Sequence, residues 1–316
     1  MFSVIAYNIL AGGTGRLDSL TAMLRPYHPD LVGLVEASDE HVVAELARRL
    51  GMHYRLSGQI HADHIEQGAL LSRLPILETT TYTHSFLTKQ PLLEVCVQTP
   101  DGLEIRVFVI HLTANFYQGR RADWKRRQEV QTIVEIMAAH RGKPHLLMGD
   151  FNSVIRKERV RGSAMLRYML DERLYYALLP AKSRGLPTLD YILPPRWRFL
   201  KPALRSVPRN PLLSAWLDAC DTFYAPHGGL EILSQAGYID CFRRLHPHAP
   251  GFTWPAALPA GRIDFIFASP ELEAYLCACD VLAEGEGVPA DRASDHLPVF
   301  ATFAKAEESP GATTRG

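Results

Sequence analysis

No stretch of this 316-residue chain reaches the roughly 18 apolar residues in a row that a membrane span requires. Charge of one sign is equally lacking: 34 basic residues face 34 acidic ones, so no global field draws the protein to nucleic acid or anionic lipid. Any polyanion must be met locally. Cysteine is scarce, and Cys96, Cys220, Cys241, Cys277 and Cys279 are odd in number without paired spacing, which argues against a disulfide framework or a structural zinc site. Cys277-x-Cys279 reads as strand filler. A Walker-type Gly-rich loop and a Gly-x-Ser-x-Gly elbow are both missing. The opening Met1-Phe2-Ser3-Val4-Ile5-Ala6-Tyr7-Asn8 is a strand rather than a basic leader with a long apolar core, so a cytoplasmic location is expected.

What is present is a globular pattern, 47% hydrophobic and 22% charged, with enough apolar residues for a large core. Apolar runs at 4–7, 31–35, 69–71, 92–97, 105–110, 146–148, 263–267 and 299–303 predict strands, and Asp101-Gly102 predicts a hairpin turn between two of them. Helical spacing appears at 17–24, 41–50 and 122–139, where Trp124, Val130, Ile133, Val134 and Met137 suggest one apolar stripe. Hairpins beside crossover helices imply mixed sheets packed face to face with helices outside, an α/β sandwich. Residues 305–316 are polar and small, and a disordered tail is expected there.

The densest chemical signal is His145-Leu146-Leu147-Met148-Gly149-Asp150-Phe151-Asn152-Ser153, an apolar strand that delivers Gly, Asp and Asn at its carboxyl end. Alone it could be an ordinary turn. Polar residues at other strand ends change the reading: Asn8 follows 4–7, Glu36 follows 31–35, His111 follows 107–110, Asp264 sits in Arg262-Ile263-Asp264-Phe265, and Asp295-His296 precedes Leu297-Pro298-Val299. Strand ends of one sheet architecture converge on one cleft. Glu, Asp and Asn are hard oxygen ligands suited to Mg2+ or Mn2+, and two histidines add groups that move protons near neutral pH. That set points to phosphate-ester hydrolysis.

The ordered set Asn8, Glu36, His111-Leu112, Gly149-Asp150-Phe151-Asn152, Asp264 and Ser294-Asp295-His296 resembles the endonuclease/exonuclease/phosphatase superfamily, from residue 8 to about residue 303. The resemblance implies a four-layer α/β/β/α sandwich of two mixed β-sheets flanked by helices. It implies Glu36 as the principal metal ligand with Asn8 and Asp295 beside it, and Asp150 as the carboxylate that activates water. Asn152 would hold phosphate and nucleophile, His296 would contact the scissile phosphate with Asp264 orienting its ring, and His111 would lie near the leaving side. Two departures stand out. Val35 occupies a position where relatives often carry Gln, and Leu10 one where some carry Asp, so the metal site is expected to lean on Glu36. The motif Leu189-Asp190-Tyr191-Ile192 competes with the strand of Asp264. Spacing favours Asp264, 31 residues before Asp295 where Asp190 is 105 before it.

One catalytic domain over 1–304 is expected, with an insert or cap at about 156–233 that holds helices at 163–179 and 212–222 around a Pro/Arg-rich linker at 180–211. Its aromatics Tyr168, Tyr175, Tyr176, Trp197, Trp216, Phe223 and Tyr224 would fill a small core of its own or shape the cleft. Basic clusters at 120–127 and 156–161 lie soon after His111 and Asn152, where a polyanion could pass. The expected partner is a phosphate-ester substrate, with nucleic acid or a nucleotide first; neither stable membrane insertion nor a protein partner is implied. Alternatives are a phospholipid or sugar-phosphate esterase on the same scaffold, and an inactive binding module, against which the complete polar set argues.

Overall fold

In the computed structural model, which describes residues 1–58, 67–114, 120–156, 158–179, 195–224 and 227–304, two six-stranded sheets lie face to face. The first carries β1 (Phe2–Asn8), β2 (Leu31–Val35), β3 (His53–Leu56), β4 (Ala69–Ser72), β11 (Leu276–Val281) and β14 (Val299–Phe303), in the order β11-β14-β1-β2-β4-β3. The second carries β5 (Ile76–Tyr82), β6 (Leu92–Gln98), β7 (Glu104–His111), β8 (His145–Asp150), β9 (Ile239–Asp240) and β10 (Asp264–Ala268), in the order β5-β6-β7-β8-β10-β9. A small hairpin, β12 (Glu284–Gly285) and β13 (Val288–Pro289), stands apart.

Alternation along the strands builds the layers. In β1, Val4 and Ala6 point between the sheets, where they meet Val107, Val109 and Met148 of the second sheet, while Ile5 and Tyr7 point outward. The outward face packs on α1 (Leu17–Leu24) and α2 (Glu40–Leu50) through Leu20, Met23, Val43 and Leu46. On the far side, Phe108, Leu147, Phe265 and Phe267 pack on α3 (Arg120–Met137) and α8 (Glu231–Gln235) through Val130, Ile133, Met137 and Leu233. The result is helix, sheet, sheet, helix. Central strands buried on both faces read as unbroken apolar runs, which is why β1, β2 and β8 were visible in the sequence.

Several elements differ from expectation for physical reasons. Trp124 leaves the α3 stripe: it is 58% exposed, and its ring meets Phe86 edge-on with centroids 6.3 Å apart. The inward face runs through Ala122, Arg126, Glu129, Val130, Ile133 and Met137, two of them charged. Glu129 accepts from the Thr113 backbone N–H (3.1 Å) and hydroxyl (2.7 Å), and Arg126 donates to the Thr113 carbonyl (2.9 Å), so buried charge replaces apolar contact beside His111. Strands β3, β5 and β11 lie at sheet edges with polar exposed positions, which hides the apolar signal.

The expected helix at 163–179 is two, α4 (Gly162–Leu170) and α5 (Glu172–Tyr175), broken where Asp171 turns extended and its carboxylate caps the Arg173 and Leu174 N–H groups. The linker carries 3-10 turns at Pro195–Leu200 and Val207–Arg209 around α6 (Lys201–Leu204), and α7 (Pro211–Tyr224) follows. After α8 comes α9 (Cys241–Leu245). The rest of that linker, the Asp190 motif and the tail at 305–316 lie outside the described residues.

Two glycines let the backbones meet. A Cβ on Gly33 of β2 would lie 2.5 Å from the Met148 sulfur across the sheet interface, and one on Gly149 would lie 1.9 Å from the Ile110 carbonyl oxygen at a φ of +142°. The second clash is with backbone of the neighbouring strand and has no flexible side chain to relieve it. Gly149→Ala is therefore expected to cost at least about 3 kcal/mol, read as a lowered urea midpoint with unchanged m. A loss under about 1 kcal/mol would show that this strand end yields easily.

Candidate active site

Topology brings the polar residues together. β1 and β2 run parallel, as do β7 and β8, so Asn8, Glu36, His111 and Asp150 all emerge at one edge. β14 and β10 run antiparallel to β1 and β8, so the residues that begin them, His296 just before β14 and Asp264 opposite Asp150, arrive at the same edge. The backbone there is bent: Leu10, Ala11, Glu36 and Asn152 all have positive φ, Glu36 at 55° and Asn152 at 46°. These are four of the six non-glycine residues with positive φ among the described residues, which concentrates backbone strain at the site.

Asp150 sits at the centre. Its Oδ1 accepts from the Asn152 backbone N–H (2.8 Å), and its Oδ2 accepts from the Asn8 amide (3.1 Å). His111 Nε2 lies 3.3 Å and His296 Nε2 3.8 Å from the same Oδ2. The Asn152 amide donates to the Leu112 carbonyl (2.9 Å) and to His111 Nε2 (3.0 Å). A ring protonated at Nδ1 alone accepts at Nε2 from Asn152, whereas a ring protonated at Nε2 donates to Asp150. Either way His111 is turned inward onto the two residues it supports.

Electrostatics sort these groups into fixed states. Burial raises the Asp150 pKa, but the nearby His296 charge, His111 and the Asn152 N–H outweigh it and hold the carboxylate well below its ordinary value. For His296 burial works the other way, and the charges of Asp264, Asp295 and Asp150 overcome it, pushing the imidazole up to about 10. His296 Nδ1 donates to Asp264 Oδ2 at 2.9 Å. Asp264 is itself pushed up, to about 6, because burial and the Asp150 charge exceed the pull of its partner. At neutral pH the pair is ionic.

Two groups of donors could accept a metal. Asp150, Asp264 and His296 bring ligand atoms within 4.8 Å of one another. A cationic imidazole whose Nδ1–H is given to Asp264 offers no lone pair, so this group holds a proton better than an ion. The second group is all oxygen. Glu36 is half-buried, its Oε2 taking the Ala11 N–H (2.8 Å) and its Oε1 the Asn8 amide (3.2 Å). Burial raises its pKa, yet the charges of His111 and Lys89 and the Ala11 N–H bring it below its usual value. Asp295 Oδ2 accepts from the Trp254 indole N–H (3.1 Å), and its buried Oδ1 has no hydrogen bond among the described residues. Burial and the Glu36 charge raise its pKa against the pull of His296. Two ionisable carboxyls in mutual repulsion, one with an orphaned oxygen, fit a hard divalent cation.

The sequence reading missed residues that act only through tertiary contacts. Arg16, buried, donates to the carbonyls of Leu10 and Ala293 and so ties the turn after Asn8 to the loop before Asp295. Its only sequence signal was an arginine in the Gly-rich turn 12–16. The Thr253 hydroxyl accepts from the N–H groups of Ile263 and Asp264 (3.0 and 3.1 Å), while Ser294, which the sequence motif did include, donates to the Asn8 carbonyl (2.6 Å). Trp254 links the site to α4: besides its bond to Asp295, its ring meets Tyr168 edge-on at 5.8 Å.

A family model described as the endonuclease/exonuclease/phosphatase family matches residues 5–296. Among solved structures, an AP endonuclease from Archaeoglobus fulgidus is 16% identical over 96% of this chain and 99% of its own, with a TM-score of 0.61. A 3' phosphatase, NExo from Neisseria bound to product DNA hairpin, is 18% identical over 96% and 99%, with a TM-score of 0.59. A humanized D. rerio TDP2 is 17% identical over 96% and 99%, with a TM-score of 0.57. At such identities the likeness shows the fold. No curated protein sequence matches the chain.

The ionic pair makes a pH prediction. The His296 pKa is raised on folding, so its stabilising contribution is complete below the unfolded value of 6.5 and is lost as pH rises through about 10. In metal-free protein, His296→Gln is expected to cost about 3 kcal/mol near pH 7 and distinctly less near pH 10.5, measured by denaturant unfolding. An equal loss at both values would show that the ring is neutral throughout.

Proposed function

Because the chain belongs to the endonuclease/exonuclease/phosphatase family, we propose that it is a divalent-metal-dependent phosphoesterase, acting as a phosphodiesterase or nuclease that cleaves P–O bonds by attack of water. The observation that carries this reading is the Asp150 carboxylate, ionised and held at both oxygens between Asn8, Asn152, His111 and His296.

An ionised carboxylate fixed in this way orients a water for in-line attack and accepts its proton as the new P–O bond forms. Its low pKa makes it a weak base before attack, so orientation is its larger contribution. His296, cationic and braced by Asp264, places positive charge where the phosphoryl oxygens develop theirs. Asn152, fixed by Leu112 and His111, keeps the turn after Asp150 in place, and its second amide N–H is free for the phosphate when His111 Nε2 carries a proton. Glu36 would be the principal ligand of Mg2+ or Mn2+, with Asn8 Oδ1 and Asp295 Oδ1 beside it. When bound, the ion supplies further charge against the phosphoryl oxygens.

A nucleic-acid substrate is favoured by the company the fold keeps, an AP endonuclease and a 3' phosphatase bound to a DNA hairpin. The test is a panel with Mg2+ or Mn2+: single- and double-stranded DNA, abasic-site DNA, RNA, sphingomyelin, inositol phosphates and bis(p-nitrophenyl) phosphate. Turnover is expected on at least one nucleic acid and on the small diester, and Asp150→Asn is expected to lower it by about 10³-fold or more. Turnover that survives this substitution, or none at all, would overturn the reading. Glu36→Gln is expected to abolish metal-dependent turnover while circular dichroism and thermal unfolding of the metal-free protein stay near wild type. Near-normal activity would remove Glu36 from the ligand set.

A further inference from the structure

Several arginines in this chain are paired: Arg48 and Arg49 with Glu45, Arg106 with Glu78 and Glu94, Arg243 and Arg262 with Glu158, Arg127 with Glu231. Of the others, four lie together. Arg167 of α4, Arg173 of α5, Arg205 just after α6 and Arg209 of the turn before α7 are exposed, have no ion pair among the described residues, and line one groove of about 920 Å³. In a chain with equal numbers of acids and bases, four unpaired guanidiniums converging from separate elements are a local positive field. The one carboxylate lining the groove among the described residues, Asp171, accepts from the Arg173 and Leu174 backbone N–H groups, so part of its acceptor capacity is already used in capping α5.

The groove is built rather than incidental. Leu166, Tyr168 and Met169 of α4 form a small core with Leu204, Val207 and Leu217, which fixes the four arginines to one base. Asp218 of α7 accepts from the Ser163 N–H (2.7 Å), and the Ser214 hydroxyl donates to the Val207 carbonyl (3.0 Å), closing the unit. It also adjoins the active site. Tyr168, next to Arg167, packs on Trp254, and Trp254 bonds Asp295. Helix α4 thus bears on the groove through Arg167 and on the Asp295 side of the site through Tyr168.

We propose that this groove binds the phosphate backbone of a single nucleic-acid strand that continues from the phosphate held at Asp150, an inference that rests on the phosphodiesterase reading. Arginine suits the role because its planar fork meets phosphate oxygens in pairs. A concave surface accepts a strand, and the exposed Leu212, Leu213 and Trp216 of α7 lie outside its lining. Those apolar residues make an anionic membrane the competing occupant.

The test uses the full chain and fluorescein-labelled oligothymidylate in EDTA, followed by anisotropy over a salt series. Each phosphate contact removed lowers the slope of log K against log salt by about 0.7, so the quadruple variant Arg167→Gln/Arg173→Gln/Arg205→Gln/Arg209→Gln is expected to lose about 3 from the slope and bind at least tenfold more weakly. Thermal unfolding of this variant is expected to match wild type, since all four side chains are exposed. Its hydrolysis of bis(p-nitrophenyl) phosphate is expected to be unchanged while KM for the oligonucleotide rises. Equal oligonucleotide binding by wild type and variant, or no binding by wild type, would overturn the proposal. So would arginine-dependent sedimentation with phosphatidylserine vesicles without arginine-dependent oligonucleotide binding. Binding in EDTA is independent of chemistry, so a failed esterase assay and a failed groove give different results.

Discussion

The amide of Asn8 has two N–H groups, and it divides them between carboxylates on different sheets, Glu36 at the end of β2 and Asp150 at the end of β8. Nothing else so small could do this. The bond lengths, 3.2 and 3.1 Å, hold only if the two sheets meet at this edge with their registers fixed to within a residue. Gly33 against Met148 sets that closeness, and the inter-sheet core behind it keeps the spacing. The ion pair of Asp264 and His296 is the second tie, joining the strand end beside β8 to the loop that enters β14. The edge that carries the candidate site is thus also where the two halves of the sandwich are fastened.

This arrangement explains the unequal charge states of chemically similar groups. Asp150 and Asp264 lie opposite each other on adjacent strands and are equally buried, yet one is held below its ordinary range and the other is raised above it. The difference is in the donors: Asp150 takes N–H groups at both oxygens and faces two imidazoles, while Asp264 has one oxygen on His296 and, among the described residues, no hydrogen bond within reach of the other. Arg16 adds a buried positive charge beneath the group without occupying it.

Much of this was legible in the residues because central strands of a two-sided core are continuous apolar runs and their polar ends stand out. Asn8, Glu36, Asp150 and His296 were found as punctuation at such ends. The edge strands β3, β5 and β11 were not, since one polar face per strand breaks the run. Trp124 was assigned to the core by hydrophobicity, but the face of α3 is decided by Thr113, whose backbone and hydroxyl require Arg126 and Glu129 inside. Arg16, Thr253 and Trp254 were silent for another reason: each acts on a residue tens or hundreds of positions away, and no local spacing encodes that. The groove arginines were likewise invisible, because 167, 173, 205 and 209 become neighbours only once α4 to α7 fold on one another.

The left-handed backbone at Glu36 carries a consequence of its own. Glycine or asparagine would sit there at lower cost, and a sequence chosen for stability alone would carry one of them. A bulky acidic side chain in that conformation at the end of a buried strand is a feature the backbone displays before any partner is known. Scanning a backbone for acidic residues in left-handed turns at the ends of buried strands would single out position 36 here without reference to metal, substrate or relatives. Strain of this kind is a record, kept in the main chain, of a demand that the fold did not make.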